Sequence, residues 1–290
     1  MKNETYSSLN NKTIAITGST GGLAIELCKN LAKLNSNLIL INRNKEKTEQ
    51  QIEQLKAINP NLNIQFYICD LEDFESVKET TQKLQQQKID ILYLCAGAYN
   101  IPRKITSLNY DNVFQINFVS QYYIAKELLK NIKEVNGKIV AVSSIAHNYS
   151  KFDENDTDFS KQKKHSRVYG NAKRFLTFAL MELREQENFN LSIVHPGLTL
   201  TEMTNHYPKA INWLVKIFIG LFCPSVKQAT SSLLNGIFED TNYHEWIGPR
   251  MLQIYGKPKK IKLKTCSENE SKKIFNVAEM IYENIKKEDV

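Results

Sequence analysis

An α/β chain built on a doubly wound parallel sheet of about seven strands, with helices on both faces, is the fold class this sequence predicts. Two observations carry that expectation. Short β-branched apolar runs alternate with longer segments of helical period through the first two hundred residues. The runs are mostly continuous rather than alternating, as in strands covered on both faces. Six strands are expected near Thr13–Thr17, Asn37–Asn42, Asn63–Cys69, Ile89–Cys95, Lys138–Ser143 and Leu191–His195, with a helix after each. The polar, aperiodic segment from about His147 to Ser166 reads as a surface loop bordering the site. The apolar run Ile211–Cys223 is interrupted by Asn212, Lys216 and Gly220, and at thirteen residues it is too short to span a bilayer. It is expected to form a lid or an interfacial helix. A seventh strand near Tyr243–Ile247 and a polar-faced helix over Ser271–Lys287 complete the chain. With no repeat or linker, one domain is expected. Residues 12–204 form its core, 205–265 a substrate lid and last strand, and 266–290 a C-terminal helix.

Composition narrows the functional classes. At 290 residues and 42% hydrophobic, the chain can bury one sizeable core. Met1–Lys12 is polar, with no apolar run of a secretory signal, so cytoplasmic residence is expected. Cys28, Cys69, Cys95, Cys223 and Cys266 are widely separated, with no CxxC pair, and suggest neither a metal site nor a redox dithiol. The net charge of +7 is concentrated in Arg250, Lys257, Lys259, Lys260, Lys262 and Lys264. That stretch is read as a solvated lysine-rich loop, with contact to an anionic surface as the alternative. Nothing follows a nucleic-acid-binding motif, so no nucleic acid partner is expected.

The first strand runs directly into Thr17-Gly18-Ser19-Thr20-Gly21-Gly22-Leu23-Ala24 and then a helical pattern. Glycines at such a turn let the backbone approach a pyrophosphate, while the free N–H groups of the helix start face the anion. The second strand ends Asn42-Arg43-Asn44. An acidic residue here would bind a ribose 2′-hydroxyl, whereas an arginine pairs with a 2′-phosphate. Arg43 therefore points to NADP(H) rather than NAD(H).

These residues resemble the TGxxxGxG signature of short-chain dehydrogenases/reductases, a family of Rossmann fold, with Ala24 in place of the last glycine. Further matches run in order. Asp70-Leu71 looks like the family's adenine-contacting pair, Cys95-Ala96-Gly97 like its NAG motif, and Asn117 stands at its helix asparagine. Ser143-Ser144 ends the fifth strand, Tyr169-Gly170-Asn171-Ala172-Lys173 matches YxxxK, and His195-Pro196-Gly197 with Thr201 resembles the PGxxxT segment. The resemblance implies a catalytic set of Asn117, Ser144, Tyr169 and Lys173. It implies cofactor contacts from Gly18, Ser19, Thr20, Gly22, Leu23, Arg43, Asn44, Asp70, Leu71, Ala96, Gly97, Tyr169, Lys173, Pro196, Gly197 and Thr201. YxxxK spacing recurs at Tyr122/Lys126, Tyr255/Lys259 and Tyr282/Lys286, read as ordinary helix-surface or loop pairs. Tyr169 is singled out because its helix follows the serine-bearing strand and precedes the PG segment.

The spacing suits the chemistry, since residues four apart on a helix share a face. Hydride transfer to a carbonyl leaves an alkoxide that needs a proton. A phenol donates readily but is a poor base near neutrality, so a nearby cation, Lys173, must stabilise the phenolate. As the resemblance implies, Lys173 also holds the nicotinamide ribose, Ser144 bonds the substrate oxygen, and Asn117 fixes a water linking Lys173 to solvent. Strand-end geometry favours Ser144 over Ser143 without excluding the latter.

Ser143-Ser144-Ile145-Ala146-His147, the later His195-Pro196-Gly197 and the apolar 212–222 stretch resemble the retinol-dehydrogenase-like branch. The expected function is NADP(H)-dependent hydride transfer between nicotinamide and a carbonyl or alcohol of a lipophilic small molecule. Two alternatives are a reductase of a polar sugar or acyl intermediate and a non-catalytic NADP(H) sensor. Trp213, Phe218, Phe222 and Lys257–Lys264 together resemble a peripheral membrane patch. A homodimer or homotetramer is an open expectation, because the family commonly pairs its fourth and fifth helices across a dimer.

Overall fold

The computed structural model describes residues 9–197 and 226–288. Thr201, Cys223 and the Ile211–Cys223 run, with Trp213, Phe218 and Phe222, lie outside the described residues.

Eight strands form a single sheet: β1 (Thr13–Thr17), β2 (Asn37–Asn42), β3 (Ile64–Ile68), β4 (Ile91–Leu94), β5 (Lys138–Val142), β6 (Asn190–Val194), β7 (Glu245–Met251) and β8 (Tyr255–Lys262). Their order across the sheet is β3-β2-β1-β4-β5-β6-β7-β8. The first seven pair in parallel, and β8 is antiparallel to β7. All seven expected strands are present. The order of connection reverses between β1 and β4, and ligands of open α/β sheets bind at the carboxyl ends of strands at such a switch point.

Helices cover both faces, as expected. Helices α1 (Gly22–Lys33), α2 (Lys45–Ile58) and α6 (Val226–Phe238) pack on one face through Leu27, Leu31, Leu55, Leu233 and Ile237. On the other face lie α3 (Phe74–Gln85), α4 (residues 112–134), α5 (His165–Glu187) and α7 (Glu268–Glu288). Their starts follow local chemistry. Asn44 Oδ1 accepts from Lys47 N at 2.8 Å to start α2, and Asp111 Oδ1 accepts from Val113 N at 2.9 Å to start α4. Such N-caps satisfy backbone donors that the helix itself leaves free.

The basic stretch forms the eighth strand rather than a solvated loop. Periodicity missed β8 because a solvated edge strand carries no apolar run. Lys257, Lys259, Lys260 and Lys262 are exposed, and in β8 only Tyr255, Pro258 and Ile261 are partly buried. Lysines on an edge strand also discourage pairing with another chain.

Two of the additional YxxxK pairs are not surface pairs but interhelical clamps. Tyr122 OH and Lys126 Nζ on α4 both donate to the Glu279 carboxylate of α7, at 2.6 and 2.8 Å. Tyr282 OH and Lys286 Nζ on α7 return the pattern to Glu127, at 2.6 and 3.0 Å. With Ile274, Phe275, Ala278, Ile281 and Ile285 buried beneath it, α7 is fastened along α4 and α5. Among the described residues, no helix is long and apolar enough to cross a membrane.

Candidate active site

The glycine turn leaves β1 at Gly18, whose φ of +66° is a conformation side chains rarely adopt. A Cβ on Gly18 would stand 2.7 Å from Ala96 Cα, so the turn and the exit of β4 touch backbone to backbone. Thr17 Oγ1 ties the same two strand ends, accepting from Cys95 N and Ala96 N at 3.0 and 3.1 Å. α1 then starts at Gly22 behind Gly21, with no side-chain cap and no acidic residue in its first turn. Its exposed N-terminal N–H groups suit an anion. Replacing Gly18 with alanine is expected to cost about 2–4 kcal/mol, from left-handed strain and overpacking together. The urea midpoint should fall accordingly and dinucleotide binding should weaken.

A buried polar network, not visible in the motif, shapes this turn from below. Ser19 Oγ donates to Gln51 Oε1 and accepts from Asn42 Nδ2, both at 2.8 Å, while Gln51 Nε2 donates to Ser19 O at 2.8 Å. Asn42 Oδ1 also accepts from Thr20 N at 3.2 Å. The Ser19 hydroxyl and carbonyl are therefore both taken up inside the protein. A signal for Gln51 was present, since it falls with Thr48 and Leu55 on the buried stripe of α2.

At the far end of the crevice Arg43 is exposed and forms no hydrogen bond or ion pair with the described residues. Its guanidinium is free to meet a phosphate. Asn44 is used as the cap of α2. Asp70 Oδ1 accepts from Glu72 N at 3.0 Å, and Leu71 is buried, its carbonyl accepting from Ser120 Oγ at 2.6 Å.

Lys173 and Asn117 stand beside Gly97, and Tyr169 lies on the helix that carries Lys173. The Ser144 Oγ accepts from Ala146 N at 3.2 Å, which leaves its proton free, and the hydroxyl is placed to favour the ionised form of the Tyr169 phenol. Ser143 turns away to a 2.7 Å hydrogen bond with Thr177 Oγ1 inside the fold. Lys173 Nζ donates to Val142 O at 3.0 Å and lies 5.9 Å from the centre of the Tyr169 ring. A Cβ on Gly97 would stand 3.5 Å from that Nζ and 2.9 Å from Asn117 Oδ1.

Burial pushes the Tyr169 phenol up to about 12, opposed by the Ser144 hydrogen bond. Burial likewise holds the Lys173 ammonium down to about 8, opposed by Cys95. The Tyr99 ring, absent from the motif, packs edge-on against Tyr169 at 5.2 Å between centres.

Asn117 sits in a π-helical stretch, Gln115–Val119, and is fully buried. Its Nδ2 donates to Ala98 O and Val113 O, each at 2.8 Å, and its Oδ1 accepts from Ala98 N at 3.3 Å. The amide thus clamps the backbone leaving β4. After β6, Gly197 has φ +88° and no room for a Cβ against Ile254 O, which fixes the Pro196-Gly197 turn.

The segment between Ser144 and Tyr169 opens with a 3-10 turn, Ile145–Tyr149. It lies against α5 at Gly170, where a Cβ would collide with Ala146 O and Ser150 Oγ. The rest is pinned by Arg103, which pairs with Asp111 at 2.6 Å and donates to the carbonyls of Phe159, Ser160 and Gln162.

The crevice passes a test of fit for a dinucleotide: two glycines no other residue could replace without displacement, an uncapped helix start and an unpaired guanidinium line one path.

Comparison with known proteins agrees with this geometry. The family model described as short chain dehydrogenase matches residues 12–212. Human "Polyprenol dehydrogenase" is 26% identical over 219 residues, covering 69% of this chain and 66% of that protein. Mouse "Retinol dehydrogenase 12" is 26% identical over 236 residues, covering 79% of this chain and 74% of that protein. Of human "Retinol dehydrogenase 13", 25% identical, the chain matches 61% of the length. Among solved structures, a short-chain dehydrogenase from Sphingobium yanoikuyae in complex with NADPH superposes with TM-score 0.59 at 18% identity, covering 78% of this chain and 83% of that one. An uncharacterised protein from Mycobacterium paratuberculosis superposes with TM-score 0.75 at 17% identity, covering 96% and 97%.

Proposed function

Because this chain belongs to the short chain dehydrogenase family, in its retinol-dehydrogenase-like branch, we propose that it is an NADP(H)-dependent oxidoreductase acting on the carbonyl or alcohol of a lipophilic small molecule. The observation that carries this reading is the grouping of Tyr169 and Lys173 on one helix, with Ser144 acting on the phenol and Gly97 beside the Lys173 Nζ. A bound NADPH supplies the hydride. The turn at Gly18–Leu23 holds the pyrophosphate, Arg43 and Asn44 the 2′-phosphate end, Asp70 and Leu71 the adenine side. Ala96, Gly97, Pro196 and Gly197 would flank the nicotinamide end.

In the reduction direction the Ser144 hydroxyl donates to the substrate oxygen and holds the carbonyl toward Tyr169. The Tyr169 phenol, kept protonated at neutral pH by burial, gives its proton to that oxygen. Lys173, fixed by Val142 O, stabilises the phenolate left behind and holds the nicotinamide ribose. Asn117 keeps the β4 exit in the conformation that exposes Gly97, and positions the water path to Lys173. An apolar substrate is supported by the names of the polyprenol and retinol dehydrogenases and by the Tyr99 ring against Tyr169. The helix α7 fastened over α4 and α5 argues against a second copy docking on those helices.

Following NADPH absorbance against carbonyls graded from sugars and acyl thioesters to long-chain and isoprenoid aldehydes tests the reading. Turnover that rises with apolar length supports it. Preference for the polar set, or tight NADPH binding without turnover of any carbonyl, contradicts it. Cofactor choice has its own test. A charge-assisted bond contributes about 1.5–3 kcal/mol, so Arg43→Ala should weaken NADPH binding about 10- to 100-fold. NADH binding should stay at the native level. Equal effects on both nucleotides would remove Arg43 from the 2′-phosphate.

A further inference from the structure

His147 is a buried histidine that the proposed chemistry does not use, three residues beyond Ser144 in the turn Ile145–Tyr149. Its Nδ1 lies 2.7 Å from Ser144 O and its Nε2 lies 2.9 Å from Thr265 Oγ1, in the segment that joins β8 to α7. A carbonyl oxygen only accepts, so Nδ1 carries the hydrogen. Nε2 is then bare and accepts from the Thr265 hydroxyl. Burial holds the ring down to about 4, so this neutral form persists near neutrality.

The surroundings lock the ring in place. Trp246 and Phe178 meet it edge-on, with centres 5.0 and 5.9 Å away. Arg174, the residue after Lys173, donates to His147 O at 3.2 Å and to Thr265 O at 2.5 Å, and pairs with Glu270 of α7 at 2.7 Å. Glu270 Oε1 also accepts from Phe152 N at 3.3 Å, on the far side of the turn. Every polar connection between the C-terminal segment and the Ser144 turn named here passes through His147, Arg174 or Glu270.

We propose that His147 is a positioning residue for Ser144, and that the Thr265 hydroxyl holds the ring where its Nδ1–H meets the Ser144 carbonyl. The inference rests on the reading of Ser144 as the donor to the substrate oxygen. Without the Thr265 hydroxyl, the buried Nε2 keeps its lone pair but loses its donor. The ring end is then released, and the backbone that carries the Ser144 Oγ is held less firmly.

The test uses Thr265→Val, which keeps the side-chain shape, with Thr265→Ser as the variant that retains the hydroxyl. Nitrogen-15 NMR of the imidazole should report protonated Nδ1 and a hydrogen-bonded bare Nε2 in the native protein and in Thr265→Ser, and in Thr265→Val an Nε2 resonance shifted by loss of that hydrogen bond. Carbonyl turnover with NADPH should fall about tenfold in kcat for Thr265→Val, a tenfold change corresponding to 1.4 kcal/mol. NADPH affinity should be unchanged and Thr265→Ser native-like. In a Ser144→Ala background, Thr265→Val should cost nothing further, because both act through one hydroxyl. A native Nε2 resonance and native kcat in Thr265→Val would overturn the proposal. So would an equal loss in the Ser144→Ala background, the mark of a general structural effect. If Ser144→Ala itself leaves turnover intact, the underlying reading of Ser144 fails, and that result is distinct from either of the other two.

Discussion

Tyr169→Phe is expected to lower kcat for carbonyl reduction by about 10²–10⁴-fold while NADPH still binds as tightly as to the native protein. The substitution removes a single oxygen. The phenylalanine ring retains the edge-on contact with Tyr99 at 5.2 Å and the place beneath Lys173, so the walls of the crevice stay as they are. What disappears is the proton delivered to the substrate oxygen. Buried and raised to about 12, that phenol is protonated throughout the physiological range, which suits a donor. Fluorescence titration with NADPH alongside steady-state rates separates the two effects. Parallel losses of affinity and rate would mean that the ring, not the hydroxyl, mattered.

The second large effect is on the pH profile. Reduction leaves negative charge on Tyr169, and the cation that stabilises it is Lys173, which burial holds down to about 8. The sign follows from the protonated form being the useful one. The ammonium is complete below that value and is lost as pH rises through it. Reduction should therefore be level from about pH 6 to 7 and fall above about 8, approaching tenfold per pH unit as for a single ionisation. Lys173→Met should remove the inflection and lower the rate at pH 7 by about 10²-fold or more, the lower end for a proton-transfer group. Initial rates across a buffer series test this, and a native profile level to pH 10 would contradict it.

The central parallel strands were legible because a strand buried on both faces writes itself as an apolar run, and the edge strand β3, though not buried, carries Ile64, Phe66, Tyr67 and Ile68. Ser144, Tyr169 and Lys173 were legible for a related reason. Two lie four apart on one helix, and the third follows the strand before it by two residues. The different settings of Ser143 and Ser144 were not legible, because Ser143 is tied to Thr177, 34 residues on. β8 was misread since none of its residues is buried, and the partly buried Tyr255, Pro258 and Ile261 stand amid exposed lysines. The role of α7 was hidden as well. Glu127 and Glu279 look like ordinary helical charges until the two helices are side by side. Gln51, His147 and Arg174 are polar residues at buried positions, and their partners are 32, 118 and 96 residues away in sequence. No local pattern records such distances.

The same physical logic links these parts. Residues that touch a reacting atom must be held to a fraction of an ångström, and here the holding is done by buried hydrogen bonds from remote segments. Asn42 and Gln51 fix the glycine turn, Asn117 fixes the exit of β4, and Arg103 fixes the loop before Tyr169.

A crystal structure of the protein with NADPH tests the central claim most directly. The expected result has the nicotinamide end against Gly97 and Lys173, with the Tyr169 and Ser144 hydroxyls open to a shared substrate oxygen and the 2′-phosphate on Arg43. A dinucleotide bound elsewhere, or a nicotinamide ring out of reach of Tyr169, would contradict it.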